Sequence, residues 1–316
     1  MTTRALTVIS IAILLVFGWC VVGAAAPQAY PDGELGRMVK LGEEIMLNTN
    51  THPLTKDLVG NKLTCASCHM VGDDDRAGTA PTVGNFMTTA AAFPAYSNRE
   101  KTVQTLQNRN NNCFMRSMDG ERPIVDSEVS IAMAAYVTWL GTEQPLQMNA
   151  KAPVGQSNVP LWLPVVKRMG ELQKKATHAN YLNGENLYAE RCADCHGDNG
   201  EGTEDFDPVW GKDKKGGWLS YNTGAGMSKL DKGAAWVKNA MPQGEENSLT
   251  DQEAADVMLY VNAQQRADFD LQKGLPTDEN RGYYNSKVLQ EHQSVRSNFA
   301  DFGLDIDKIR GDDKIK

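Results

Sequence analysis

Residues 65–69 read CASCH, and residues 192–196 read CADCH. Both follow the pattern C-x-x-C-H, in which two thiols on one helical turn form thioethers with the vinyl groups of haem and the adjacent histidine binds the iron. A thioredoxin-like redox pair would need a βαβ setting, and a zinc site would need partner ligands that the five histidines do not supply at finger spacing. The motifs therefore predict two covalently bound haem c groups. The attachment cysteines are Cys65, Cys68, Cys192 and Cys195, and the proximal iron ligands are His69 and His196.

The segments around the two motifs also repeat. Residues 42–46 (GEEIM) precede the first motif as residues 184–188 (GENLY) precede the second. Residues 126–137 and 250–261 then end the two halves with a helical pattern, and the second opens with a capping box, T-x-x-E, that begins at Thr250. Long loops separate these helices, and no alternating strand pattern competes with them. We predict an all-α fold of two cytochrome c-type domains, each with one covalent haem c, joined by a linker.

Composition divides the chain into five segments. Residues 1–29 combine Arg4, an apolar run and an Ala-rich flank, which is typical of a signal peptide, with an uncleaved membrane anchor as the alternative. Residues 30–147 and 181–265 are the predicted domains, and residues 148–180 are a proline-containing linker. Residues 266–316 are a polar C-terminal extension, interpreted as a surface wrap or a partner-docking tail.

Charge and export limit the function classes. The 316 residues carry a formal net charge of −8, which argues against a nucleic-acid partner. On either interpretation of the N-terminus the remaining chain crosses the membrane, so we expect a periplasmic protein whose membrane contact is limited to an uncleaved anchor. An acidic protein that handles anions needs cations clustered locally.

The second domain offers three methionines as the distal iron ligand. Met241 lies 45 residues after His196, follows a predicted helix at residues 234–239 and directly precedes a proline, so it is favoured as the ligand. Met258 lies within the terminal helix pattern, where methionine is usually core filler. Met227 remains an alternative ligand.

The first domain has a cysteine in the corresponding place. Cys113 lies 44 residues after His69, beyond a helix predicted at residues 103–108, so the repeat makes it a candidate distal ligand. The alternative is that Met115 or Met118 binds the iron and Cys113 is a small buried hydrophobe. A thiolate ligand would lower the potential of this haem relative to a methionine-ligated one.

Cations cluster around Cys113. Arg99, Arg109 and Arg116 lie within eighteen residues, with Lys101 and Arg122 nearby. Arg109 and Cys113 are four residues apart and share a helical face. Guanidinium groups bind oxyanions through paired hydrogen bonds, although haem propionates or solvent would also satisfy them. Ser117 either donates a hydrogen bond to a bound oxyanion or caps a turn.

Four segments carry a family resemblance: residues 93–100 (FPAYSNRE), 108–120 (NRNNNCFMRSMDG), 224–227 (GAGM) and 239–244 (NAMPQG). The chain resembles the dihaem thiosulfate dehydrogenases of the TsdA type, which couple two thiosulfates to tetrathionate and also catalyse the reverse reaction. The resemblance covers residues 35–265. It implies that Cys113 is the distal ligand of the active-site haem and that Arg99, Arg109 and Ser117 hold the substrate.

The resemblance also implies a route for electrons. They would pass from the active-site haem through the second haem to a small c-type cytochrome or similar acceptor, while Cys113 engages the substrate sulfur. Some relatives have a lysine before the second methionine, but this chain has Ala240, so ligand switching by lysine is not expected. The rival classes are an electron-transfer cytochrome without its own substrate, a dihaem peroxidase and the haem subunit of a sulfur-oxidising complex.

Overall fold

The computed structural model describes residues 28–146, 148 and 162–312. Most of the predicted signal peptide or anchor, and residues 149–161 of the predicted linker, lie outside the described residues. The helices are α1 (Gly33–Leu47), α2 (Leu106–Arg116), α3 (Glu128–Leu140), α4 (Trp162–Gln173), α5 (His178–Arg191), α6 (Ala193–His196), α7 (Leu230–Ala240), α8 (Asp251–Ala263), α9 (Leu271–Gly274), α10 (Val295–Ala300) and α11 (Ile306–Arg310). The strands are β1 (Ala95–Ser97), β2 (Thr102–Gln104), β3 (Phe269–Asp270) and β4 (His292–Gln293).

Helices α1 and α3 pack together and build the core of an N-terminal unit. Gly42 of α1 approaches α3 so closely that a β-carbon at this position would lie 2.1 Å from the Ala132 carbonyl oxygen. Ile45, Met133 and Tyr136 fill the core beside this crossing. The GEEIM segment thus marks a place where only glycine lets the two helix backbones approach.

A C-terminal unit repeats this crossing with α5 and α8. A β-carbon on Gly184 of α5 would lie 2.0 Å from the Asp256 carbonyl oxygen of α8. At the start of α8, the Thr250 hydroxyl accepts from the Glu253 N–H and the Glu253 carboxylate accepts from the Thr250 N–H, so the predicted capping box is confirmed. Helix α4 also packs on α7 and α8, with Met169 fully buried between them. The helical part of the predicted linker therefore belongs to the packing of the C-terminal unit.

Gly184→Ala is expected to lower the free energy of unfolding by about 1–3 kcal/mol, because the added methyl group overlaps the α8 backbone. The matched control is Gly170→Ala on α4, where the nearest atom is the Asp231 Cβ at 3.6 Å. There the methyl group makes an ordinary contact, and alanine favours the helix by up to about 1 kcal/mol. Chemical denaturation of both variants measures the difference, and equal stabilities would argue against a glycine-dependent crossing.

Two predictions of local structure need correction. The molecule is helix-rich, but the all-α prediction missed two antiparallel pairs, β1–β2 and β3–β4. Their strands have only two or three residues, too few for an alternating pattern to be recognised. The helix predicted at residues 103–108 begins instead at Leu106, after Thr105, whose hydroxyl accepts from the Asn108 N–H. Cys113 therefore lies within α2, whereas Met241 follows the end of α7.

Residues 266–312, the described part of the C-terminal extension, lie across both units. On the C-terminal unit, Phe299, Ile306 and Ile309 share a buried cluster with Leu259 of α8. On the N-terminal unit, Phe269 and other apolar side chains of the extension pack with Met115 of α2. Within residues 28–146, 148 and 162–312, none of the helices has the length and apolar composition of a membrane span.

Candidate haem-binding and anion-binding site

The first motif is shaped by hydrogen bonds that hold its turn. The Cys65 N–H donates to the Thr49 hydroxyl oxygen at 2.9 Å, and the His69 N–H donates to the Cys65 carbonyl oxygen at 2.9 Å. The His69 ring stacks on Phe86 with ring centroids 4.1 Å apart, and its Nδ1 lies 2.6 Å from the Gly84 carbonyl oxygen. Because Nδ1 donates to that carbonyl, Nε2 is left with the lone pair that an iron ligand needs.

The second motif is held in the same manner. Its cysteines lie at the end of α5 and in α6, and the His196 N–H donates to the Cys192 carbonyl oxygen at 2.9 Å. The Nδ1 of His196 lies 2.7 Å from the Asp207 carbonyl oxygen. Both motif histidines therefore direct Nε2 away from the backbone.

The donor set of the first motif fits haem c. Burial lowers the pKa of His69 to about 4, so the ring is neutral and able to bind a metal at neutral pH. Burial raises the pKa of Cys65 and Cys68 to about 12, so both are thiols, the form that adds across a vinyl group. The Thr82 hydroxyl, close to Gly84 in sequence, is buried without a partner among the described residues and offers a polar atom to a bound group.

Cys113 and Arg109 form a direct pair on α2. The Arg109 Nη1 donates to the Cys113 Sγ at 2.9 Å, so the predicted shared helical face is confirmed. The pKa of Arg109 is raised above its ordinary value, chiefly by its electrostatic interaction with Cys113. Burial raises the pKa of both Cys65 and Cys68, and a smaller electrostatic contribution from Cys113 acts on each of them. Cys113 therefore lies near the first motif.

The four predicted arginines divide into two groups. Arg116 donates to both carboxylate oxygens of Glu291, at 2.7 and 3.1 Å, and Arg122 donates to the side chains of Asn108 and Asn112. These two guanidinium groups are buried and already paired, so they are structural. Arg99 and Arg109 therefore remain as the candidates to bind a haem propionate or the substrate.

Arg99 and Arg109 have no carboxylate within ion-pair distance among the described residues. The pKa of Arg99 is lowered to about 10 by burial and then by the charges of Arg116 and Arg109. Lys232 of α7 lies close enough to share this environment, because its pKa is lowered by burial and then by Arg99. Arg99 and Arg109 of the N-terminal unit and Lys232 of the C-terminal unit therefore influence one another electrostatically, and this unpaired positive charge favours an anion.

Ser117 stands at the C-cap of α2. Its N–H donates to the Cys113 carbonyl oxygen, and its carbonyl oxygen accepts from the Asn61 amide at 2.8 Å. The half-buried residue is therefore fixed through its backbone, and its hydroxyl, which has no hydrogen-bond partner among the described residues, is available to a ligand.

The candidate methionines occupy different environments. Met241 is the half-buried C-cap of α7, and Met227 packs instead against the core of the N-terminal unit. Met115, Met118 and Met258 are at most 3 % exposed and pack in hydrophobic clusters. Of these five candidate methionines, Met241 is the one that belongs to none of the hydrophobic clusters of the described residues.

Contacts between the units join the two motif regions, and sequence reasoning did not identify them. The Trp236 indole of α7 donates to the Cys68 carbonyl oxygen at 3.3 Å. Burial raises the pKa of Asp207, while the nearby Ser67 hydroxyl of the first motif lowers it. The Asp207 carbonyl oxygen also holds His196, so this residue binds the second motif and lies close to the first. Only position in the repeat could have suggested Trp236 and Asp207, since neither belongs to a motif.

Comparisons with known proteins identify relatives of this chain. The cytochrome c family model matches residues 181–265. The chain is 35% identical to the thiosulfate dehydrogenase of Thiomonas intermedia over 245 residues, which cover 76% of this chain and 69% of that protein. It is 34% identical to the thiosulfate dehydrogenase of Allochromatium vinosum over 242 residues, which cover 75% of this chain and 81% of that protein.

Other relatives are longer than the region they share with this chain. The chain is 34% identical to the thiosulfate dehydrogenase of Psychrobacter arcticus and spans 64% of its length. Among solved structures, the thiosulfate dehydrogenase TsdBA of Marichromatium purpuratum, in its as-isolated form, has a TM-score of 0.59 and 32% sequence identity. That match covers 76% of this chain and 48% of the other.

Proposed function

Because the chain belongs to the thiosulfate dehydrogenase family, we propose that it is a dihaem cytochrome c oxidoreductase that interconverts thiosulfate and tetrathionate. The observation that carries the proposal is the 2.9 Å contact between the Arg109 guanidinium and the Cys113 sulfur, beside the first motif. An electron-transfer cytochrome without a substrate would not need an unpaired cation at its distal ligand. The cluster of Arg99, Arg109 and Lys232 is suited instead to a dianion.

The proposal includes two domains with one haem c each. It is supported by the repeated helix crossings at Gly42 and Gly184 and by the matching histidine contacts of the two motifs. Cys113 and His69 would hold the iron of the first haem, and Met241 and His196 would hold the iron of the second. The haem groups, when bound, supply the one-electron acceptors that the oxidation requires.

The reaction balances without proton transfer: two thiosulfate ions lose two electrons and give one tetrathionate. Arg99 and Arg109 would bind the sulfonate oxygens and orient the outer sulfur toward Cys113, with the Ser117 hydroxyl as a further donor. A sulfur–sulfur bond forms between the Cys113 thiolate and the first thiosulfate as two electrons leave. The second thiosulfate then displaces the cysteine sulfur, which regenerates the thiolate and releases tetrathionate. Arg109 stabilises the thiolate at both stages.

Export and electron delivery complete the proposal. A periplasmic location is supported by the apolar N-terminal run and by the two C-x-x-C-H motifs, and a small c-type cytochrome or similar carrier would take the electrons.

The haem-loaded full chain tests the function directly. We expect two haem groups per chain by pyridine haemochrome analysis, thiosulfate-dependent reduction of ferricyanide, and tetrathionate reduction with a low-potential donor. The matched variant Cys192→Ser with Cys195→Ser should retain one covalent haem. If fully loaded wild-type protein carries out neither reaction, the chain is not this enzyme.

A further inference from the structure

Glu100, the neighbour of Arg99, is tied to the C-terminal extension. Its side chain is 2 % exposed and lies in the turn between β1 and β2. The Tyr284 hydroxyl donates to Glu100 Oε2 at 2.6 Å, and the Asn112 amide of α2 donates to Oε1 at 3.2 Å. A buried carboxylate is stable only when such donors satisfy it, so the position of this turn depends on Tyr284.

The backbone of the same turn is also held by the extension. The Lys287 N–H donates to the Glu100 carbonyl oxygen at 2.9 Å, and the Ser286 hydroxyl donates to it at 3.3 Å. The Asn285 amide donates to the Val103 carbonyl oxygen of β2 at 2.8 Å. Three consecutive residues of the extension therefore contact the hairpin that presents Arg99.

A second contact reaches the helix that carries Cys113. Glu291 accepts two hydrogen bonds from Arg116, the last residue of α2, and Arg116 stacks over the Phe269 ring at 4.1 Å. Arg116 also lies 3.9 Å from the Glu100 carboxylate. The hairpin, α2 and the extension thus meet at one buried cluster of charges, formed by Glu100, Arg116 and Glu291.

Arg99 makes no hydrogen bond or ion pair of its own within residues 28–146, 148 and 162–312, so its position follows from the backbone on either side. We propose that residues 284–291 of the extension are a positioning element for the anion-binding site. They hold the β1–β2 turn, which carries Arg99, at a fixed distance from α2, which carries Cys113. This distance sets the affinity for the substrate dianion. This inference rests on the proposed function, and it gives a specific role to a segment that the sequence identified only as a surface wrap or a partner-docking tail.

Tyr284→Phe tests the inference, with Tyr283→Phe as its matched control. The first variant removes the hydroxyl on Glu100 and keeps the ring over Arg122. The Tyr283 side chain is 50 % exposed, so the second variant should change nothing. In haem-loaded protein we expect Tyr284→Phe to raise the KM for thiosulfate roughly tenfold and to leave kcat within about twofold of wild type. An unchanged KM, a fall in kcat alone, or an equal rise in the control would overturn the positioning role.

Amide hydrogen exchange provides a readout that does not depend on turnover. Exchange at residues 95–104 should accelerate in Tyr284→Phe and stay at the wild-type rate in Tyr283→Phe, while the melting temperature changes little. Unaltered exchange in Tyr284→Phe would refute the inference even if the enzyme is active. Conversely, the wild-type protein could be inactive while exchange at residues 95–104 is still faster in Tyr284→Phe than in wild type. That result would refute the proposed function but would still show that the extension holds the hairpin in place.

Discussion

Cys113→Ala in the haem-loaded protein is expected to reduce thiosulfate oxidation at least about a thousandfold. The variant removes the sulfur that Arg109 contacts at 2.9 Å, and the other cysteines near the site belong to the first motif. It therefore removes both the proposed distal ligand and the proposed sulfur nucleophile. Ferricyanide reduction measures the loss of turnover. The low-spin EPR signal of the first haem should change in the same sample, because its axial ligand field changes.

Met118→Leu is the matched control for this experiment. Met118 is another candidate ligand in the same segment, but its side chain is 3 % exposed and packs in the core of the N-terminal unit. Leucine conserves the volume, so stability should fall by less than about 1.5 kcal/mol and the EPR signal should stay as in wild type. An EPR spectrum that Cys113→Ala leaves unaltered would show that another side chain occupies the axial position.

Much of the helical framework could be predicted because its signals are local. The capping box at Thr250 and the helical segments before each motif need only residues that are neighbours in sequence. The pairing of Arg109 with Cys113 was also predictable, since a spacing of four residues places both on one helix face.

The first residue of α2, the helix that carries Cys113, was not predictable in the same way. Residues 102–104 pair with residues 95–97 as a hairpin, so α2 begins only at Leu106. The helix then continues to Arg116 and includes Cys113. A strand of three residues depends on its partner and on the C-terminal extension for stability, and neither contact leaves a local pattern.

The roles of the arginines also required the structure. Composition made Arg116 and Arg109 equivalent cations, yet Arg116 is paired with Glu291, 175 residues away in the chain. A long-range ion pair between single residues has no periodicity or spacing that one sequence can reveal. The two arginines therefore give a sharp experimental contrast, since one is held by protein carboxylates and the other faces the sulfur of Cys113.

Arg109→Gln is expected to lower kcat/KM for thiosulfate by about 100-fold, because each lost charge-assisted hydrogen bond to the substrate or the thiolate costs about 1.5–3 kcal/mol. Its stability should stay near wild type, since the side chain is exposed and has no carboxylate partner among the described residues. The variant should also show a weaker dependence of kcat/KM on ionic strength, because one positive charge no longer attracts the anion.

Arg116→Gln on the same helix should behave in the opposite way. It leaves the carboxylates of Glu291 and Glu100 without their buried cation, so the free energy of unfolding should fall by about 3–5 kcal/mol. Steady-state kinetics and chemical denaturation, carried out on both variants at equal haem content, separate the two roles. If Arg109→Gln retained wild-type kcat/KM, or lost stability as Arg116→Gln does, Arg109 would be a structural cation and the anion-binding site would have to lie elsewhere.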